Sequence, residues 1–331
     1  MRTNDEQAKG RTGDEQRPTR SPVNPQSAIP HRTSLRTRLW RDRWLYLCIL
    51  PGLLYFVVFR YVPLLGNIVA FQDYSPFRGF RGSPFVGLDN FRKLLTDPDV
   101  GIAIRNTLAI SLLQLIFFFP MPVALALLLN SMIHERVKRL MQSILYLPHF
   151  ISWVIIIALW TQVFGGNGVL NQFLRDQGWG TLNIMTNPAF FKPLVVLQLI
   201  WKETGWGTII ILAALTRIDL NLYEAAAIDG AGPFRRLWHI TLPGIRGVIV
   251  LLLILRLSQI LNTGFEQIFL QRNAVGAKAS EVLDTFTYFR GVLGGDWGFS
   301  AAVGLVKGLV AMVLVFGANR IAKQLGEEGA F

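Results

Sequence analysis

The chain has 331 residues, of which 51% are hydrophobic and only 16% are charged, and its mean hydropathy is +0.38. This composition is typical of a membrane protein and excludes an ordinary soluble domain. The formal charge of +12 does not indicate nucleic-acid binding, because the basic residues are spread over particular loops rather than gathered among aromatic side chains. The single cysteine, Cys48, excludes a disulfide framework and a cysteine-based metal site.

Residues 1–43 are polar and rich in Arg, Gln, Pro and Ser, without an apolar stretch that could form the core of a signal peptide. We expect a disordered, basic tail here. Its ten Lys or Arg residues against five acidic residues favour a cytoplasmic location. The remainder, residues 44–331, is expected to form one membrane domain.

Six apolar segments follow the tail, each long enough to cross a bilayer as a helix of roughly 20 residues. The predicted fold is therefore an all-α integral membrane bundle with both termini in the cytoplasm. The predicted spans are residues 44–64, 107–129, 144–164, 193–215, 247–265 and 298–321. Pro51 is expected to kink the first span, and Pro120 and Pro122 are expected to free carbonyls in the second that neighbouring helices must satisfy.

Loop charges give the orientation of the predicted spans. Residues 131–141 contain Arg136, Lys138 and Arg139 against Glu135, and the segment between the fourth and fifth predicted spans contains Arg217, Arg235, Arg236 and Arg246, so both are expected in the cytoplasm. The loops at 165–192 and 266–297 lack that excess and are expected outside. The charge of residues 66–105 does not indicate their side of the membrane. They are expected outside, because the tail before the first span and the loop after the second span are both expected inside.

The polar segment between the fourth and fifth spans predicts two short helices joined by a turn. Asp219 or Asn221 is the expected N-cap of the first helix, and Asn221 has capping-box spacing to Glu224. Gly230 is expected to end this helix. Pro243 is expected to break the second helix and direct the chain into the fifth span.

This segment contains Glu224-Ala225-Ala226, then three residues, Gly230, nine residues, Ile240, one residue and Leu242-Pro243. The arrangement resembles the EAA loop of permease subunits of ABC importers. The resemblance implies that residues 219–243, here named the coupling segment, lie in a groove of a cytoplasmic ATPase subunit. The alternative is an interfacial amphipathic helix pair that only caps a membrane bundle.

The residue types of the coupling segment suit docking. Small Ala side chains permit close approach, Gly230 permits a sharp turn, and Glu224 and Asp229 offer charge to a basic groove. The residues expected to dock on the ATPase are Tyr223, Glu224, Ala225, Ala226, Asp229, Gly230, Ala231, Pro233, Trp238, Ile240, Leu242 and Pro243.

Softer motifs lie outside the coupling segment. Residues 71–77 (Phe-Gln-Asp-Tyr-Ser-Pro-Phe) and 86–91 (Val-Gly-Leu-Asp-Asn-Phe) are similar to the start of carbohydrate permeases of the maltose-type ABC family. Residues 262–267 and 280–285 resemble the branch that includes oligosaccharide, polysaccharide and alginate permeases. The resemblance covers nearly everything after the tail. One departure is Asp219, which stands where the family often has Pro and is expected to cap the helix instead.

Ionisable side chains in the middle of spans are costly and usually face a cavity or a partner. Lys202, Glu203, Arg256 and Lys307 occupy such positions. Glu203 and Arg256 each lie about ten residues into their spans, so a pair across helices is expected. Lys202 and Glu203 are not expected to be each other's main partner, since adjacent residues on a helix do not face each other.

Arg256, Gln259 and Thr263 are predicted to follow one helical face. We hypothesise that this stripe lines a route for a hydroxyl-rich solute and that its cationic surplus suits an acidic sugar; the alternative is a set of interhelical polar contacts. The candidate pathway residues are Gln198, Lys202, Glu203, Arg256, Gln259, Asn262, Thr263, Glu266 and Lys307. Aromatic side chains that either stack on sugar rings or pack between helices are Trp160, Trp201, Trp206 and residues 117–119.

Motifs for other chemistry are missing from the sequence. No Gly-Lys dipeptide occurs, so there is no Walker A loop, and ATP with its Mg²⁺ is expected on a partner ATPase. The four histidines lack metal-ligand spacing, and His149 is expected at a cytoplasmic interface. A membrane enzyme would need a richer reactive cluster than Lys202 with Glu203. An ion-coupled secondary transporter stays an alternative, although the sequence shows no evident internal repeat that relates its two halves.

The resemblance also implies partners and a location. These are a second, different permease, two cytoplasmic ATPase subunits and an extracytoplasmic solute-binding protein, assembled in the lipid of a bacterial cytoplasmic membrane. We expect no nucleic acid partner, and no catalytic residue, cofactor or metal in this chain.

Overall fold

A computed structural model describes residues 40–324, 326 and 329 of the chain. In this part of the chain the regular structure is helical, apart from one isolated antiparallel bridge between Gln72 and Phe85. Six helical segments are long and apolar enough to cross a membrane. The predicted all-α bundle of six spans is confirmed. The predicted tail at 1–43 lies outside the described residues except for its last four.

The chain divides into two units, residues 1–63 and residues 64–331. The first unit contains the α-helix Arg43–Phe56, which continues through Pro51, and the π-turn Val57–Tyr61. The 3₁₀ segment Val62–Phe71 begins at the end of this unit and completes the first span, Arg43–Phe71.

The second unit holds the other five spans. Its 3₁₀ turn Leu147–Phe150 lies before the third span, and its π-turns are Gln114–Phe118, Leu237–Thr241 and Tyr288–Leu293. Its α-helices are, in order, Gly79–Gly82, Asp89–Thr96, Pro98–Leu113, Pro120–Asn130, Glu135–Tyr146, Trp153–Phe164, Val169–Asp176, Phe191–Leu215, Leu220–Ile228, Pro233–Arg236, Leu242–Ser258, Phe265–Val275, Ala277–Ser280, Leu283–Thr287 and Trp297–Gln324.

The predicted start of the third span is wrong. The span was expected to begin at residue 144, but the helix Glu135–Tyr146 ends there and the α-helix of the span starts at Trp153. Pro148 contributes to the break because it lacks the N–H group that would continue the α-helix. The chain forms one 3₁₀ turn, Leu147–Phe150, and becomes extended at Ile151. Ser152 caps the new helix by accepting a hydrogen bond from the Ile155 N–H.

The predicted bounds of the fifth span are also wrong. Helical structure runs from Pro233 to Ser258, so the span begins inside the coupling segment and ends seven residues before its predicted end at residue 265. Pro243 does not break the helix. The Leu242 N–H donates to the Leu237 carbonyl in the π-turn that precedes it, and this wider turn admits the proline ring.

Pro120 is accommodated in the same way in the second span. The Phe119 N–H donates to the Gln114 carbonyl at 3.0 Å, so a π-turn precedes the proline. The helix then restarts with Pro120 in its first turn, where a missing N–H has no intrahelical partner to lose.

The fourth span, Phe191–Leu215, is the best buried of the six. It packs along Pro120–Asn130 of the second span, with Ile211 and Ala214 in one buried cluster with Ala126. A side chain at Gly205 would overlap the carbonyl of Leu145, and one at Gly207 would press on Pro122. The two glycines therefore permit close contact between the fourth span and its neighbouring helices, as small residues do in membrane bundles.

Candidate functional site

The first helix of the coupling segment is fixed at both ends. Asp219 is its N-cap and accepts a hydrogen bond from the Asn221 N–H at 2.9 Å, so Asn221 lies inside the helix and the capping-box alternative is wrong. At the other end Gly230 has φ +72°, and the N–H groups of Ala231 and Gly230 bond back to Ala226 and Ala227. This is the Schellman pattern, which favours glycine at the left-handed position.

The two halves of the coupling segment are held together by side chains. The hydroxyl groups of Tyr223 and Thr241 hydrogen bond at 2.9 Å, and Thr241 is buried. Arg236 Nε donates to the Ala231 carbonyl at 2.7 Å, which ties the second half to the turn. The coupling segment is therefore one braced hairpin of helices, continuous with the fifth span.

The exposed surface of this hairpin carries both apolar and acidic groups. Ile228 is 87% exposed, Phe234 79% and Trp238 64%. The acids Glu224 and Asp229 are exposed on the same hairpin. Of the residues predicted to dock, Glu224, Ala225, Asp229, Gly230, Pro233, Trp238 and Pro243 are exposed, while Tyr223, Ala226, Ala231, Ile240 and Leu242 are half-buried.

A second candidate site is a cavity of about 340 Å³, here named the membrane cavity. It lies among the second, fourth and fifth spans and the start of the third. From the predicted pathway it brings together Glu203, Arg256, Asn262 and Thr263. The other residues on its wall are Gln114, Phe118, Trp153, Leu199, Trp206, Gly207, Gly264 and Gln267.

Arg256 contributes the positive charge on the cavity wall. Its Nη2 donates to Gln114 Oε1 at 2.6 Å, and its guanidinium lies 5.3 Å from the centre of the Phe118 ring. The predicted ion pair between Glu203 and Arg256 is wrong, because each of these residues has a nearer partner on another helix or turn. Both nevertheless line the same cavity.

Glu203 pairs with His149, which lies in the helix break before the third span. Its Oε2 lies 2.8 Å from His149 Nδ1, and its Oε1 lies 3.6 Å from Lys202 Nζ. The imidazole stacks flat on the Trp206 indole with ring centres 4.4 Å apart. His149 was expected at a membrane interface, but it contacts the middle of the fourth span instead.

Lys202 does not line the membrane cavity. Its ammonium donates to the carbonyls of His149 at 2.6 Å, Ile151 at 2.8 Å and Pro148 at 3.3 Å. The side chain is nearly fully buried. Lys202 therefore donates to three carbonyls at the helix break, of which that of Pro148 also accepts from the Ile151 N–H. Glu203 lies farther away, at 3.6 Å, so it is not the main partner of Lys202, as predicted.

The remaining pathway candidates are divided among three environments. Gln198 is buried in hydrogen bonds with other glutamines. Asn262 bonds to Gln259 at 2.6 Å and to Lys307 at 3.0 Å, and Lys307 also pairs with Asp284. Glu266 is exposed.

The prediction that Arg256, Gln259 and Thr263 follow one helical face is wrong. The α-helix ends at Ser258, and residues 259–264 are non-helical up to Gly264, whose φ is +99°. Ser111 and Gln114 of the second span donate to the carbonyls of Ile260 and Thr263 in this stretch. Non-helical backbone at membrane depth is tolerated where protein side chains satisfy it, as here.

Two polar residues of the cavity wall were not identified as site residues from the sequence: Gln114 and Gln267. Gln114 had a usable signal, because it is the one amide inside the apolar second span. Gln267 had none, because it lies beyond the predicted end of the fifth span at residue 265, and it comes to the cavity wall because the α-helix ends at Ser258 instead.

Comparisons with known proteins agree with this architecture. Residues 116–326 match the family model "Binding-protein-dependent transport system inner membrane component". The chain is 47% identical to Protein LplB of Bacillus subtilis (strain 168) over 88% of this chain and 92% of that protein. It is 46% identical to the polygalacturonan/rhamnogalacturonan transport system permease protein YteP of the same strain, over 91% of this chain and 94% of YteP.

A solved structure is also similar. It is a chain of a bacterial alginate ABC transporter crystallised with an alginate pentasaccharide-bound periplasmic protein, with a TM-score of 0.81 and 35% identity over 90% of this chain and 100% of that chain. The chain is a multi-pass membrane permease rather than an enzyme. It belongs to the family of binding-protein-dependent transport system inner membrane components.

Proposed function

We propose that this permease forms half of the translocation pathway for an oligosaccharide that carries uronic acid units. A second, different permease completes the pathway, and an extracytoplasmic binding protein delivers the sugar. Two ATPase subunits, which hold the ATP and Mg²⁺, bind the coupling segments. The assembly lies in a bacterial cytoplasmic membrane.

The observation that carries the sugar proposal is Arg256 on the wall of the membrane cavity. A guanidinium has five N–H donors, and the bond to Gln114 uses one of them. Paired donors of this kind match the two oxygens of a carboxylate. Trp206 and Phe118 on the same wall offer aromatic faces, on which sugar rings stack.

Charge around the cavity supports an acidic substrate. On the wall Arg256 is positive and Glu203 is negative, and Lys202, buried behind the wall at 3.6 Å from Glu203, adds one positive charge beside it. Two relatives are named for acidic polymers: YteP for polygalacturonan and rhamnogalacturonan, and the solved transporter for alginate. A transported uronate would bring the compensating negative charge into the cavity.

The coupling segment gives a route for ATPase movement to reach this cavity. Its helices are braced by Tyr223 and Thr241 and continue into the fifth span, which carries Arg256. A displacement of the coupling segment would therefore move Arg256 without an intervening flexible link. We infer that ATPase closure changes access to the cavity in this way.

The test is uptake by the complete complex in proteoliposomes, with the binding protein saturated by either sugar so that differences arise in the permeases. We compare galacturonate trisaccharide with its carboxyl-reduced counterpart. Arg256→Gln should reduce the preference for the acidic sugar by about tenfold, and Arg256→Lys should keep part of it. Arg139→Gln, the same change at an exposed arginine outside the cavity, is the matched control. An unchanged preference in Arg256→Gln would refute the acidic substrate.

A further inference from the structure

A cluster of three buried glutamines lies beside the membrane cavity. Gln267 Nε2 donates to the Val195 carbonyl at 2.9 Å and to Gln198 Oε1 at 2.8 Å. Gln271 Nε2 also donates to Gln198 Oε1, at 3.0 Å, and Gln198 Nε2 donates to Gln271 Oε1 at 3.1 Å. Both hydrogens of the Gln267 amide are therefore used within the cluster.

These bonds fix which way the Gln267 amide points. The Val195 carbonyl can only accept, so exchanging the amide oxygen and nitrogen would place two oxygens against each other. Gln267 Oε1 is consequently held as an acceptor. Gln267 is fully buried and lines the membrane cavity.

Two polar atoms on this wall have no hydrogen-bond partner among the described residues: Gln267 Oε1 and Thr263 Oγ1. Both residues are almost completely buried and both line the cavity. Buried polar atoms in native proteins are nearly always paired with protein groups, water or a ligand. Both atoms are covered in this conformation, so a transported solute reaches them only when the cavity opens. An amide oxygen requires a ligand that donates.

We propose that Gln267 and Thr263 form a subsite that reads a hydroxyl group of the transported sugar. The inference rests on the proposed function. The subsite adds an orientation of the sugar to the proposed function, because Arg256 donates hydrogen bonds while Gln267 Oε1 is held as an acceptor on the same cavity wall. A uronate ring would therefore place its carboxylate at Arg256 and a hydroxyl at Gln267, since a carboxylate facing Gln267 Oε1 would be repelled.

The experiment compares galacturonate trisaccharide with the same trisaccharide carrying methyl ethers on its ring hydroxyls, which removes the donors. Uptake is measured in proteoliposomes holding the complete complex, with saturated binding protein. For the parent, the KM of the trisaccharide with free hydroxyls should be about tenfold lower than the KM of the methylated one. In Gln267→Met this ratio should fall close to one. In Gln271→Met, which leaves the Gln267 oxygen in place and lies off the cavity wall, the ratio should persist.

Two results would overturn the subsite. In the first, Gln267→Met keeps the parent's preference for the free hydroxyls. In the second, Gln271→Met loses that preference as fully as Gln267→Met does, which would assign the effect to the glutamine cluster as a whole. If Gln267→Met does not assemble, Thr263→Val, of nearly the same shape, replaces it with the same expected loss. Repeating the comparison with the carboxyl-reduced trisaccharide separates the two proposals. A methyl-ether effect on that sugar supports the subsite even where no preference for the carboxylate exists.

Discussion

Lys202 shows how one buried charge organises the wall of the membrane cavity. Its ammonium satisfies three carbonyls in the break before the third span, and the same break carries His149, which stacks on Trp206. An ammonium inside a membrane bundle is costly unless it is paired in this way. The side chain therefore positions the cavity wall without touching the cavity.

Replacing Lys202 with Met should destabilise the permease, because removal of the ammonium leaves its carbonyl partners unsatisfied. We expect the thermal unfolding midpoint of the purified complex to fall by about 5 °C. Gln259→Met is the control, since Gln259 is exposed. A midpoint equal to that of the parent would show that the carbonyls find other donors and that Lys202 is not a positioning residue.

Sequence reasoning could identify the costly residues but not their partners. Lys202, Glu203 and Arg256 stand out by charge within apolar runs, and Glu203 and Arg256 do line one cavity. Their partners lie far along the chain: His149 precedes Glu203 by 54 positions, and Gln114 precedes Arg256 by 142. Such pairs depend on how the spans pack, which the hydrophobic pattern alone does not specify.

At the scale of elements, the coupling segment depends on its glycine turn. The Gly230 N–H donates to the Ala227 carbonyl at 3.1 Å, and its φ of +72° is closed to proline. Gly230→Pro should abolish transport while the amount of protein in the membrane stays close to that of the parent. Uptake together with immunoblotting of membranes would check this, and uptake at the parent's rate would contradict the docking role.

Charge on the same element gives an independent test. Glu224 is exposed on the first coupling helix, so Glu224→Arg should cost little stability but reverse the charge offered to the ATPase. We expect loss of transport and of ATPase copurification. Asp89→Arg, an exposed acid at the start of another helix, is the matched control and should leave both unchanged. Retained copurification in Glu224→Arg would contradict the prediction.

The segment before the second span is anchored by an ion pair that should depend on pH. Asp97 accepts from Arg290 and also caps the helix that begins at Pro98. The hydrogen bond from Arg290 holds the pKa of the Asp97 carboxyl below its ordinary value. A lowered pKa in the folded state means that this stabilisation is present above about pH 4 and is lost as the pH falls through the lowered value.

We therefore expect the unfolding midpoint of the parent to fall more steeply than that of Asp97→Asn as the pH decreases below about 4. Near neutral pH neither midpoint should change with pH. Unfolding midpoints of the purified protein between about pH 3 and pH 7 would measure this difference. Identical profiles for the two proteins would show that the pair contributes no pH-dependent stability.

The number of spans was predicted correctly, because it depends on the length of the apolar segments. Several bounds of the helices were not, because they depend on local hydrogen bonding. Six spans were found because each needs about 20 apolar residues. The break at Pro148 and the π-turn before Pro243 were not, because a proline in an apolar run ends a helix in one place and is absorbed in another. The end of the fifth span at Ser258 was missed because Ile260, Leu261 and Phe265 extend the apolar run and the polar residues between them were read as one helical face.

At the scale of the whole molecule, the coupling segment and the membrane cavity share the fifth span. The cavity also takes walls from the second, third and fourth spans, so movement of one span changes its opening. The account therefore predicts that the sugar and the ATPase act on the same rigid element from opposite ends.

The most direct test of the account is cryo-electron microscopy of the complete complex with galacturonate trisaccharide. An ATPase variant that binds but does not hydrolyse ATP would hold the complex in one state. The account predicts sugar density in the membrane cavity, with a carboxylate at Arg256 and a hydroxyl at Gln267. An empty cavity, with the trisaccharide bound along a route that touches neither residue, would contradict it.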